Sequence, residues 1–212
     1  GWSVPTAIVA MGGITLVYTL LGGLKAVVWA DVIQLAVYVC GGVAALVIAW
    51  QLAGGAEQAL AMAADAGKLK LLNPVLSFTQ TYTLLGGLIG GALLSAASHG
   101  TDQLIVQRLL ATRSLRDAQV AVVGSGVAVI LQFCLFLMIG SAIWAAGLAP
   151  EGMPADQIFS RFILERLPTG LAGLMVAGIL AAAMSTISSS INALASSVTH
   201  DQIGRASCRE RV

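Results

Sequence analysis

Apolar runs of about 20 residues recur along this chain, the length a helix needs to cross roughly 30 Å of hydrocarbon. No other feature narrows the possible folds as far. Backbone groups in lipid are satisfied only within helices or closed barrels, and runs this long select helices. Of the 212 residues, 58% are hydrophobic and 10% charged, against about 25% charged in soluble domains. Mean hydropathy is +0.89. The sequence therefore predicts an all-α membrane protein, multi-pass in a cell membrane, with the lipid bilayer as its first partner. A formal charge of +1 points to no nucleic acid and no acidic partner. Cys40 and Cys134 lie inside apolar runs and Cys208 in a polar tail, so no disulfide framework is implied. The opening GWSVPTAIVAMGG has neither an initiator Met nor the basic flank of a signal peptide. It reads as the middle of a protein.

Five spanning segments are expected, at about 4–24, 27–50, 82–106, 118–146 and 168–200. Pro5 stands at the mouth of the first and Gly22–Gly23 near its end. The second opens with Trp29 at the interface, then Asp31 and Gln34 in a capping-box-like spacing. The polar interval 51–80 contains a weakly amphipathic piece, AEQALAMAADAGKLKLL, expected to lie on the surface. A second polar interval, 147–169, has room for a short helix around 155–167, and Pro168 is placed to start the last segment. Arg108, Arg113 and Arg116 form the clearest basic loop, which the positive-inside rule puts in the cytoplasm with Lys25. Both long polar intervals then fall outside, although Lys68, Lys70, Arg161 and Arg166 count against that assignment. On this topology the first residues lie outside and His200–Asp201 inside.

After Asp201 the pattern stops. QIGRASCRERV has four charged residues in eleven and no apolar periodicity. It can be encoded by a string that matches a common sequencing-library adapter, whose next codon is a stop. The expectation is that residues 202–212 are not native. Without Arg205, Arg209, Glu210 and Arg211 the formal charge falls from +1 to −1.

Polar groups inside spanning helices are costly and usually face a bundle interior or a water-filled cavity. Two clusters qualify. Ser95, Ser98, His99 and Asp102 recur at i, i+3, i+4 and i+7, flanked by Gly90–Gly91 and Gly100, which permit a local break in the helix. The bland alternatives are close packing between helices for the serines and a capping network for His99 with Asp102. In the last segment Leu171–Asp201 carries eight hydroxyl side chains, and Ala182, Ser185 and Thr186 share one face at i, i+3 and i+4. Two hydroxyls and the carbonyl one turn earlier offer three hard oxygens to a cation that wants about five or six. For the other hydroxyls there, which lie on several faces, packing or back-bonding is the favoured account. Gly124-Ser125-Gly126 has no base placed beside it, and His99 and His200 have no companions at metal spacing. No enzyme chemistry is indicated.

Three stretches carry a resemblance. GGLKAVVWADVIQ (Gly22–Gln34), SHGTDQLIVQRLLATRSLRDAQ (Ser98–Gln119) and LPTGLAGLMVAGILAAAMSTISSSINALASSVTHD (Leu167–Asp201) resemble, in order, the sodium/solute symporter family, which includes the sodium–sugar cotransporters. TDQ-x-IVQR-x-LA and the MST run are specific motifs. The resemblance implies a LeuT-like fold of two inverted five-helix repeats, of which this chain supplies a partial bundle, core helices four to eight. It implies that residues 1–201 are one partial transmembrane domain. Ala182, Ser185 and Thr186 occupy the positions that give a carbonyl and two hydroxyls to the sodium site of that fold. The remaining ligands are carbonyls of core helix one. Ser95 stands where the sugar branch has a substrate-contacting Asn, Ser98 where it has an aromatic gate residue, and Val129 where it has a sugar-contacting Lys. A sugar is therefore not implied, and Ser95, Ser98 and His99 are the candidate contacts for some other small-molecule solute.

The function implied is sodium-coupled secondary active transport, with Na+ as coupling ion, and the chain alone inactive because it holds half of each site. Similar domains also serve as membrane input modules of bacterial sensor kinases. A soluble kinase module later in the reading frame would mark that alternative.

Overall fold

The computed structural model describes residues 3–70, 72–75, 77, 79–80, 82–150 and 152–199. The expected non-native stretch, with His200 and Asp201, lies outside the described residues. Every regular element among them is helical, and none is a strand.

α1 (Val4–Leu52) is kinked at one residue, Gly23, whose φ of 55° and ψ of −160° leave the helical region. That conformation suits a residue without a Cβ. The bend divides α1 into two apolar arms, Pro5–Gly23 and Lys25–Leu52. Asp31 is therefore six residues into a running helix and does not cap one, contrary to the capping-box expectation.

α2 (Ala56–Asp65) follows, then α3 (Leu84–Thr101), α4 (Gln103–Leu110), α5 (Leu115–Ala145), α6 (Ala155–Arg166) and α7 (Thr169–Ser197). Local chemistry sets most of these ends. Thr83 caps α3 by accepting from the Gly86 N–H at 3.2 Å, and Ser114 caps α5 by accepting from the Asp117 N–H at 3.2 Å. α5 stops at Gly147 (φ 69°), where the Leu148 N–H donates to the Ile143 carbonyl at 3.1 Å. The Gly147 N–H also donates to the Trp144 carbonyl at 2.9 Å, completing a Schellman turn that needs a left-handed residue.

Among the described residues, four helices are long and apolar enough to cross a membrane: Pro5–Gly23, Lys25–Leu52, Leu115–Ala145 and Thr169–Ser197. The third expected span, at about 82–106, is not among them. That stretch is divided by Asp102 into α3 and the short α4. The coarse architecture is all-helical with at least these four spans.

The chain separates into two units, Gly1–Tyr38 with Leu174–Val212 and Val39–Gly173. The second is held by apolar contacts. Ala59 and Ala63 of α2 are buried, as are Ile139, Ala142 and Ile143 of α5 and Phe162 and Ile163 of α6. Phe159 of α6 meets Phe136 of α5 edge-on, with ring centres 5.8 Å apart, and the Lys68 ammonium sits 4.6 Å above the Trp144 ring. The first unit has a different interior. Thr15, Thr19 and Ser188 are buried there, as are Val27, Met175 and Ala193. Large apolar side chains point outward along both arms of α1 and along α5, Leu21 being 86% exposed, as suits surfaces that meet lipid or further helices.

Candidate cation and solute sites

At about 100° per residue, Gly178, Ser185, Ser188 and Asn192 of α7 fall within a sector of roughly 80°, with Thr186 about 100° from Ser185. α1 stands against that sector. The Ser188 and Thr19 hydroxyl oxygens are 2.7 Å apart and buried. Ser185 Oγ donates to the carboxylate of Asp31, 154 positions away in sequence. A Cβ on Gly178 would lie 3.4 Å from Val37 Cγ1, so the helices approach closely there. The Asn192 side-chain amide nitrogen is buried without a hydrogen-bond partner among the described residues.

The two other members of the predicted cation set look elsewhere. Thr186 is exposed, and its hydroxyl donates to the Ala182 carbonyl at 3.1 Å. Those two oxygens face each other along the open edge of α7. The structure thus brings Ser185 together with Asp31, and Thr186 with Ala182. Asp31 is the residue that reading the sequence missed as a site residue. The signal was present: an ionisable side chain inside an apolar span marks a functional position by default. A carboxylate, two hydroxyls and a carbonyl are all hard oxygens, the donor type that alkali and alkaline-earth cations take.

The candidate solute stripe is built differently. His99 Nδ1 lies 2.9 Å from the Ser95 carbonyl, to which an Nδ1–H donates, and Ser98 Oγ donates to the same carbonyl at 3.2 Å. Ser95 Oγ and Ser98 Oγ stand 3.4 and 3.3 Å from the same ring nitrogen. Every one of these contacts stays within four residues. Asp102 leaves the stripe altogether. It ends α3 and caps α4, its carboxylate accepting from the Leu104 N–H at 2.9 Å. The break allowed by the sequence thus falls beside Gly100 and not at Gly90–Gly91, both inside continuous helix. Ser125 of the Gly-Ser-Gly run donates to the Val122 carbonyl at 2.8 Å, an ordinary back-bond within α5. No group of three His, Cys, Asp or Glu side chains is gathered among the described residues.

The comparisons with known proteins identify the family. A family model described as "Sodium:solute symporter family" matches residues 1–208. The sodium/sialic acid symporter NanT of Aliivibrio fischeri is 30% identical over 200 residues, covering 90% of this chain and 39% of that protein. Human sodium-coupled monocarboxylate transporter 1 is 31% identical over 211 residues, covering 96% of this chain and 35% of that protein. Among solved structures, a substrate-bound, outward-open sodium-coupled sialic acid symporter, described as revealing a novel sodium site, superimposes with a TM-score of 0.84. It is 29% identical, and the match covers 97% of this chain and 44% of that one. The chain spans less than half the length of each of these relatives.

Proposed function

The chain belongs to the sodium:solute symporter family, and from that premise we propose that it supplies core helices four to eight of a sodium-coupled secondary active transporter. On this reading the two arms of α1, α3 with α4, α5 and α7 are those five helices. The interrupted α3–α4 stretch is then the third of the five spans, since broken helices are usual at binding sites in transporters of this architecture. Sodium is the coupling ion and a cargo. Ala182 offers its carbonyl, Ser185 and Thr186 their hydroxyls, and Asp31 its carboxylate.

One observation carries the proposal: Asp31 in an apolar span is met by Ser185 from the helix that resembles the family's sodium-binding helix. A sodium ion beside Ser185 meets hard oxygens from both helices, the donor type such a cation takes. To receive it, the Thr186 hydroxyl has only to turn its proton away from the Ala182 carbonyl, freeing both oxygens. Solute and sodium then raise each other's affinity by the same factor, and the membrane potential adds about 2.3 kcal/mol per charge per 100 mV.

The relatives' names span sialic acid, monocarboxylate and multivitamin transport. We propose a small polar solute, with Ser95, Ser98 and His99 among its contacts. Residues 202–212 are proposed as non-native. The family match runs on to residue 208, so the nucleotide sequence decides, and ordinary codons unlike the adapter would refute that part.

The functional test is uptake by the full-length symporter in proteoliposomes. Thr186→Ala is expected to raise the half-saturating sodium concentration by about tenfold, roughly 1.4 kcal/mol, with the protein still folded and inserted. Unchanged sodium dependence would defeat the sodium assignment.

A further inference from the structure

We infer that Thr19 is a positioning residue for the sodium-binding face of α7, acting through its buried hydrogen bond to Ser188; the inference rests on the proposed sodium reading. In lipid, apolar side chains gain little by facing one another, so apolar packing alone sets the rotation of a spanning helix weakly. Small residues in close contact and hydrogen bonds across the interface set it strongly. α7 has one of each against α1, ten positions apart: Gly178 beside Val37 and Ser188 beside Thr19. Ser185 and Thr186 lie between those two points. Rotating α7 by a single residue position, about 100°, would carry Ser185 off Asp31.

Thr15 serves as an internal comparison. It is as buried as Ser188, but its hydroxyl donates to the Met11 carbonyl at 2.7 Å, inside its own helix. Thr19, one turn on, has a carbonyl at the same offset and instead meets the other helix. Only one of these two threonines ties the helices together.

The test measures sodium dependence of uptake at saturating solute, in the full-length symporter, for Thr19→Val, Thr19→Ser, Ser188→Ala and Thr19→Val combined with Ser188→Ala, beside Thr186→Ala. Thr19→Val keeps the shape and removes the hydroxyl. It is expected to raise half-saturating sodium about three- to tenfold, the range of single hydrogen bonds between membrane helices, with the maximal rate at high sodium retained. Thr19→Ser should restore the wild-type value within about twofold. The double variant should be no worse than the poorer single one, because both changes cut the same bond. Where Thr19→Val does not reach the membrane, Thr19→Ala reads the same shift without steric demand. A normal sodium dependence in Thr19→Val beside a shifted Thr186→Ala would overturn this inference and leave the sodium reading standing. A lowered maximal rate with unchanged half-saturating sodium would overturn it too, as a merely structural role. No shift in either variant would remove the sodium reading and this inference with it.

Discussion

Two stretches of this molecule carry polar groups at one spacing, Ser95–Ser98–His99 on α3 and Ala182–Ser185–Thr186 on α7, both at i, i+3 and i+4. On α3 the side chains bond to each other and to the carbonyl one turn back. On α7 the middle member reaches a carboxylate on another helix, and the neighbouring Ser188 reaches a second hydroxyl there. Spacing gave the two stripes equal standing. Their partners separate them: one is closed on itself, and the other is tied to a carboxylate on another helix. A stripe whose bonds are local is free to re-form them around a solute, whereas a stripe bound to a carboxylate has its chemistry set in advance.

The sharpest way to break the comparison is Asp31→Asn. If the α7 cluster holds sodium through that charge, half-saturating sodium should rise roughly 30- to 100-fold, several times the effect of losing one neutral hydroxyl. Equal sodium curves for the variant and wild type would return Asp31 to a purely structural role.

A smaller effect is expected of Ser185→Ala, at about tenfold in half-saturating sodium. Asp31→Asn and Ser185→Ala should be less than additive, because they share one contact. Additive effects in that double-mutant cycle would argue that the two residues act separately.

On the other stripe, His99→Ala should raise half-saturating solute about three- to fivefold, the loss of one or two hydrogen bonds. It should leave half-saturating sodium within about twofold. A larger change in sodium than in solute would erase the distinction between the stripes.

The smallest effect belongs to Ser125→Ala. Its hydroxyl is exposed and bonds only inside its own helix, so stability should change by less than about 0.5 kcal/mol and uptake should match wild type. A marked fall in uptake would show that a local back-bond can hide a functional hydroxyl, and would weaken the argument for α3 as well.

Much of the fold is legible in the sequence because its causes are local. Apolar runs announce helices that must satisfy their own backbone in lipid, and Thr83 and Ser114 announce their caps within three residues. The Thr101-Asp102-Gln103 motif also has a local meaning: Asp102 ends one helix and begins the next. The interruption of the third expected span could have been read from it, since Asp followed by a fresh apolar pattern is a helix start. The site was half legible. The α7 face emerges from helical periodicity, but periodicity does not say what faces it, and Asp31 read as a cap because it stood near the start of an apolar run.

The sequence by itself determined a helical membrane protein, the family to which it belongs and the faces on which its hydroxyls stand, since each is fixed within one helix or a few turns. Only the tertiary structure decided which of two equally spaced stripes meets a carboxylate, and that Thr19 rather than Thr15 crosses to α7. Those choices depend on how α1 bends at Gly23 and how α7 is turned against it. Side chains 154 and 169 positions apart in the chain must come within hydrogen-bonding distance, and no local pattern encodes that distance.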